Sequence, residues 1–283
     1  GWGREMMSLL REFHQIIRRI GGAVTVPRIE QVLLPSCGQE EGKRDEFGFL
    51  LLADGSVGPF YTSLDNSLPS LRADVSGNGL RHADPVALAL QLGDSRLQTN
   101  ALALGALNAI SQFLMRRAGF DPTAAVADKT LSEPCGKVGM VGFFGPVVER
   151  LLALGRRITV IEKNPARVPV GLDLQVSSDP SLLADCDYII CTASTLINNT
   201  LEEILGAVSP SSIVYLMGPS ASCLPDPLFS RGIDLVGGVL IDETDCLRRA
   251  LSCGESWGRC GRKYQLSTEA YPGLDALLAE IER

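Results

Sequence analysis

Histidine is nearly absent: the 283 residues include two, His14 and His82. A His-rich zinc centre is therefore excluded, and no Ser–His–Asp arrangement is present. His14 falls on an amphipathic stretch and His82 in a polar loop, where a lone imidazole is ordinarily structural or solvated. Positive charge is also scarce. Lys and Arg total 26 against 33 Asp and Glu, a formal charge of −7, so a nucleic-acid partner with its demand for a basic face is not expected. The pairs Arg116-Arg117 and Arg156-Arg157 fall at expected helix ends, where positive charge complements the helix dipole. No run of about twenty apolar residues occurs, so a membrane partner is not expected either. The opening GWGREMM lacks the basic-then-apolar order of a secretion signal, and the expected location is cytoplasmic. P-loop and H-E-x-x-H motifs are missing as well.

Cysteine is not scarce, but its pattern is uninformative. Cys37, Cys135, Cys186, Cys191, Cys223, Cys246, Cys253 and Cys260 form no C-x-x-C pair. In a chain of this length they read as reduced thiols, with Cys191 buried in an apolar strand. Cys246, Cys253 and Cys260 recur every seven residues, which places the first two on one helix face. Gly254 should end that helix before Cys260, so coincidence is a plainer reading than a metal-binding trio.

What is present is a well-packed chain, 45% apolar and 21% charged, long enough for two domains. Its most informative stretch is residues 138–165, VGMVGFFGPVVERLLALGRRITVIEKNP. An apolar run (138–141) meets a glycine turn at Gly142 and Gly145. A helix follows, with Pro146 at its start and Gly155 at its end. A second apolar run (158–161) stops at Glu162. This is one βαβ unit of a Rossmann-like sheet. The glycines depart from G-x-G-x-x-G, because Met140 stands at the first position. Phe143 and Phe144 lie between the remaining two, where bulky rings crowd a pyrophosphate. Glu162 does lie about twenty residues past Gly142, the usual reach of a ribose-binding acid. A Rossmann-like scaffold with a refilled turn is favoured over dinucleotide binding.

Before this unit the pattern differs. Residues 6–20 read as an amphipathic helix stopped by Gly21-Gly22. Short strands follow at 29–34, 47–53 and 57–64, with a charged loop at 39–45 and a hairpin pair at Asp54-Gly55. Short and long helices are expected at 84–92 and 95–118. On the latter Gly105, Asn108 and Gln112 share a face. Close packing with a satisfied amide is the favoured reading of Asn108; the alternative points it into a cleft. The expected division is an α+β domain over 1–122, a linker at 123–136 and a Rossmann-like domain with a parallel sheet over 137–283. Further strands are expected at 188–192, 213–217 and 233–236, the last extending as far as 241. Helices are expected at 242–251 and 274–281, and Thr200 to Glu203 reads as a capping box.

The carboxyl ends of the expected strands are polar. The second supplies Glu162, Lys163 and Asn164, and the third Thr192, Ser194, Thr195, Asn198 and Asn199. The fourth supplies Gly218, Pro219, Ser220 and Ser222. Capping and turn chemistry explain some of these, and a ligand-lined rim explains the whole set better.

The segments GPFYTSL (58–64), ALALGALNAI (101–110), KVGMVGFFGPVVERL (137–151), VIEKNP (160–165), TASTLINNTLEEIL (192–205) and VYLMGPS (214–220) resemble those of the DUF364 family. That family is described as a heavy-metal chelation domain and is usually preceded by a DUF4213 domain. The resemblance implies an N-terminal domain like that of enolase joined to a Rossmann-like domain, with the site in the cleft between them. Family members often carry an acid early in the long helix, where this chain has Thr99-Asn100.

The resulting expectation is a small polar ligand, by resemblance a heavy-metal ion or metal complex, bound in that cleft. The residues expected to line it are Tyr61, Asn108, Gly142, Phe143, Glu162, Asn164, Thr192, Thr195, Asn198, Gly218, Pro219 and Ser220. Glu162 and the asparagines supply oxygen donors and Gly218 close backbone approach. The alternative is an enzyme using NAD or S-adenosylmethionine, carried by the βαβ unit and Glu162. A homo-oligomer stays open, since the apolar face of the first helix suits a dimer interface as well as a core.

Overall fold

A computed structural model describes residues 8–36, 46–65 and 67–282. Met6, Cys37 and the charged loop 39–45 lie outside the described residues. The first helix, α1 (Leu9–Ala23), buries Leu9, Phe13, Ile17 and Ile20, and the Ser8 hydroxyl accepts a capping bond from the Arg11 amide. Strands β1 (Ile29–Leu33), β2 (Phe47–Leu52) and β3 (Val57–Tyr61) form an antiparallel sheet in chain order. Asp54-Gly55 makes the β2–β3 turn. Gly55 takes φ +89°, and the Asp54 carboxylate accepts from the Ser56 amide at 3.0 Å. Helices α2 (Ser67–Val75) and α3 (Pro85–Ala89) lead to α4 (Leu97–Arg117).

Every residue of α4 from Thr99 to Met115 is buried. A helix enclosed on all sides must be small or apolar all round, and ALALGALNAI is that sequence. Its polar members then need partners inside the protein, which shapes the site below. A short α5 (Lys129–Ser132) lies in the expected linker.

The rest of the chain alternates strand and helix: β4 (Val138–Val141), α6 (Gly145–Ala153), β5 (Ile158–Ile161), β6 (Gln175–Ser177), β7 (Tyr188–Thr192), α7 (Leu201–Ala207), β8 (Ile213–Met217), α8 (Asp226–Phe229), β9 (Leu235–Ile241), α9 (Thr244–Ser252), β10 (Gly261–Ser267) and α10 (Leu274–Ile281). The seven strands run β10-β9-β8-β7-β4-β5-β6, all parallel except β10, which is antiparallel to β9. The protein is thus a mixed α/β fold with a large, mostly parallel sheet and a smaller antiparallel one. The interior strands β4, β5 and β9 are buried along their whole length, so they read as apolar runs in the sequence. The two edge strands escaped that reading for the opposite reason. β6 shows an exposed pattern, and β10 opens with Gly-Arg-Lys; edges carry polar and charged residues.

One apolar cluster runs from α1 through α4 to α10 and joins both sheets. A second packs Phe49, Leu51 and Val57 of the small sheet on Val239, Ile241 and Leu247. Leu50 and Leu52 belong to the first cluster and Phe49 and Leu51 to the second, so β2 feeds a core on each face.

Two expectations need correcting. The eight cysteines are not all thiols: Cys246 and Cys260 form a disulfide, because the connection from α9 back to β10 returns their Cα atoms to 5.5 Å. The helix does end where Gly254 stands, at φ +66°, and that reversal brings Cys260 back. The capping box at Thr200 does not form either. The Thr200 hydroxyl donates to the side-chain Oδ1 of Asn198 instead, and Glu202 accepts from the Leu9 amide at 2.8 Å, capping α1 from across the protein. Among the described residues no helix is long and apolar enough to cross a membrane.

Candidate functional site

The sequence of strands in the large sheet reverses direction between β4 and β7: the chain moves outward through β5 and β6, then returns to build β7, β8 and β9 on the other side. Such a reversal opens a crevice at the carboxyl ends of the two central strands. Register places the polar residues around it. Val141 pairs with both Ile161 and Cys191, and Thr192 pairs with Met217. The next residues along, Glu162, Gly142 and Thr192, therefore stand on neighbouring strands at one edge, with Gly218 one strand further.

Each of these positions has a local cause. Gly142 takes φ +85°, and a Cβ there meets the Thr192 methyl at 3.0 Å, so the β4 turn and the β7 end are in contact. After Thr192 the chain tightens into a 3₁₀ turn. The Thr192 hydroxyl lies 3.1 Å from that of Ser194 and accepts from the Ser194 amide, while the buried Thr195 hydroxyl donates to the Thr192 carbonyl at 2.8 Å. Thr195 is thus committed to the turn, whereas Thr192 and Ser194 are half-buried at the rim. Ser194 is a rim hydroxyl that reading by residue type placed in the polar set but not among the ligand residues. Its signal is the two-residue spacing from Thr192. Phe143 and Phe144 are half-buried and pack on the apolar cluster beneath α6. No side chain caps the start of α6.

The β5 end behaves mainly as a turn. Glu162 accepts from the Asn164 amide, and exposed Asn164 accepts from the Ala166 amide, capping the 3₁₀ turn Pro165–Arg167. Asn198 is spent on Thr200.

Tyr61, Asn108, Pro219 and Ser220 meet elsewhere, at the junction of the two sheets. Strand β3 presents its outer edge to α4 and to the turn after β8. Along that edge the Val57 amide donates to the Gln112 side chain, Pro59 has no amide hydrogen, and the Tyr61 amide donates to the Ser220 hydroxyl at 3.0 Å. The Asn108 side-chain amide donates to the Pro59 carbonyl at 2.7 Å and to the Ser220 carbonyl at 2.9 Å. Gln112 donates in turn to the Ile241 carbonyl at 2.7 Å. Further toward the helix start, Asn100 donates to the Ile197 carbonyl and accepts from the Gly93 amide at 2.7 Å. The buried amides of α4 therefore cover the sheet edge, pin the turns that follow β7 and β8, and bond the last residue of β9. Asn108 is fully buried, and the favoured sequence reading, a satisfied amide beside close packing at Gly105, describes its donor side. The close packing holds at Gly105, where a Cβ would meet the Phe60 ring at 2.5 Å, and equally at Gly58, whose missing Cβ leaves room for the Gly105 carbonyl.

Heavy metals favour thiolate and imidazole donors. Among the described residues no three His, Cys, Asp or Glu side chains converge. Burial pushes the thiols of Cys191 and Cys223 up to about 12, which keeps them neutral. The rim offers a single carboxylate, Glu162, together with hydroxyl and amide oxygens. The described side chains do not fit a chelate for a bare heavy-metal ion. A surface groove of about 310 Å³ beside Arg11, His14, Gln15 and Arg18 contains none of the rim residues, and His14 there is bonded to the Leu92 carbonyl at 2.8 Å.

Comparison with known proteins gives a consistent fold. The model of the DUF364 family, described as "Putative heavy-metal chelation", matches residues 126–269. An uncharacterised protein of Methanocaldococcus jannaschii is 29% identical over 147 residues, which are 51% of this chain and 55% of that relative, so the match spans about half of its length. Two crystal structures of DUF364 proteins of unknown function resemble the whole fold. The one from Pyrococcus horikoshii has a TM-score of 0.66 at 19% identity and covers 92% of this chain and 100% of its own. The one from Desulfitobacterium hafniense has a TM-score of 0.66 at 17% identity and covers 94% of this chain and 100% of its own. At such identity the likeness extends to the fold alone.

Proposed function

This chain belongs to the DUF364 family, and from that premise we propose that it binds a small polar ligand at the carboxyl rim of the large sheet. The turns after β4, β5 and β7 form the walls. The observation that carries this reading is the register that sets Gly142, Glu162 and Thr192 side by side where the strand order reverses. In this reading the order is Rossmann-like, and doubly wound parallel sheets bind ligands at such a reversal. In this reading residues 137–283 are the ligand-bearing domain. Residues 1–122, resembling the N-terminal domain of enolase and the DUF4213 domain, brace it through α4. Asn108, Tyr61 and Ser220 then hold the turn after β8 in place, and Glu162, Thr192 and Ser194 face the ligand. The family description supports a metal-containing ligand. With a single carboxylate at the rim, the metal arrives already complexed, and Thr192, Ser194 and Glu162 bind the ligands around it.

A second reading, a nucleotide-derived cofactor such as NAD or S-adenosylmethionine, is favoured by one observation. Glu162 directly follows β5 beside the Gly142 turn, where a ribose-binding acid belongs. Both readings are tested by calorimetric titration of zinc citrate, free Zn²⁺, NAD and S-adenosylmethionine into the full chain. Saturable binding of one organic or complexed probe, weakened at least tenfold by both Glu162→Ala and Thr192→Val, is expected. Zinc citrate as that probe supports the first reading, and NAD or S-adenosylmethionine the second. Binding that both variants leave intact, or no binding by any probe, would reject the rim as the site.

A further inference from the structure

The Cys246–Cys260 disulfide occupies a place that a purely structural staple does not need. A chain this long with continuous apolar clusters folds on burial alone. The bond closes a separation of 14 residues at the periphery, from the first turn of α9 to the 3₁₀ turn Gly258–Cys260 before β10. Five other described cysteines, Cys135, Cys186, Cys191, Cys223 and Cys253, remain thiols, so among the described residues this pair alone is oxidised. Within the closed segment lies Trp257. Its ring packs edge-on against Phe49 at 5.1 Å and against Phe47 at 5.7 Å, both on β2 of the small sheet. The disulfide and these rings share one apolar cluster with Val239 and Ile241 of the large sheet. The bond thus ties the segment that presses on the small sheet to α9, which follows the last parallel strand of the large one.

We propose that Cys246–Cys260 is a redox-sensitive latch that holds Trp257 on Phe47 and Phe49, and that a cellular dithiol reductant opens it. The two sulfurs are not equivalent: Cys246 is partly exposed and Cys260 is fully buried. A thiolate of the reductant attacks the Cys246 sulfur, and the Cys260 sulfur leaves and takes up a proton. The second thiol of the reductant then displaces the Cys246 sulfur, which is protonated in turn. Two electrons and two protons pass to the protein, and the reductant ends as its own disulfide. The thiol pair no longer closes the segment, and residues 253–260 regain the freedom that the cross-link removed.

The test uses the full chain carrying Trp2→Phe, which leaves Trp257 as the sole tryptophan, with dithiothreitol as the reductant. The expected results are five. Non-reducing peptide mapping finds Cys246 linked to Cys260. Reduction shifts Trp257 emission to the red and speeds tryptic cleavage at Arg259 at least tenfold. Far-ultraviolet circular dichroism stays unchanged. Cys246→Ser matches the reduced protein and ignores dithiothreitol. Absence of the linked peptide overturns the proposal, as do emission and cleavage that reduction leaves unchanged. Loss of the dichroism signal on reduction also overturns it, because the bond would then be holding the fold rather than a latch.

Discussion

Truncating Asn108 to alanine tests whether the buried amides of α4 hold the two sheets together. The side chain is fully buried, and its amide donates to the carbonyls of Pro59 and Ser220 at 2.7 and 2.9 Å. Alanine leaves both acceptors buried without that donor, at about 1–3 kcal/mol each. Asn108 also carries a side-chain oxygen with no hydrogen-bond partner among the described residues, and removing it returns about 1–3 kcal/mol. The expected net loss is about 2 kcal/mol. With an m-value of about 3 kcal/mol/M, urea unfolding should show a midpoint lowered by about 0.7 M at unchanged m. Asn108→Asp should cost more, because it sets a carboxylate against two carbonyl oxygens. A side chain that faced a ligand instead would leave the unliganded protein nearly untouched. An Asn108→Ala midpoint within about 0.15 M of the parent, or about 0.5 kcal/mol on the same slope, therefore refutes the reasoning.

Two other outcomes follow from packing and from burial. Gly58→Ala places a Cβ 1.9 Å from the Gly105 carbonyl and 2.4 Å from the Ala109 amide. Strand and helix must separate, so a loss of about 3 kcal/mol is expected in the same unfolding assay, and a neutral result would show that this contact is not tight. The thiols of Cys191 and Cys223, raised by burial from 9.0 to about 12, make stability fall in alkali. Below pH 9 both states hold these protons. Above it the unfolded chain releases them and the folded chain does not, so stability drops progressively toward pH 12, by roughly 1 kcal/mol per pH unit for each thiol. Urea midpoints from pH 8 to 10.5 should flatten in Cys191→Ala and Cys223→Ala, and equal slopes in parent and variants would remove the thiols as the cause.

Much of the architecture was legible from residue order. The run at 138–141, the turn at Gly142 and the run at 158–161 are β4, the α6 entry and β5, because a strand buried on both faces must be apolar throughout. The burial of α4 was legible in part, since Gly105, Asn108 and Gln112 fell on one face. The destinations of those amides were not. Asn108 reaches Ser220 across 112 positions and Gln112 reaches Ile241 across 129, and no local pattern encodes partners so far apart.

The sequence by itself therefore determined the buried strands, the longer helices and where the polar turns fall, because periodicity and backbone preference are local, while the polar edge strands β6 and β10 escaped it. Only the tertiary structure decided which polar residues share a place. It gathered Gly142, Glu162 and Thr192 through strand register and spent Asn108 and Ser220 on a sheet edge. It also closed Cys246 on Cys260. Those outcomes depend on how the two sheets meet around α4, a balance of burial and hydrogen bonding summed over the whole chain.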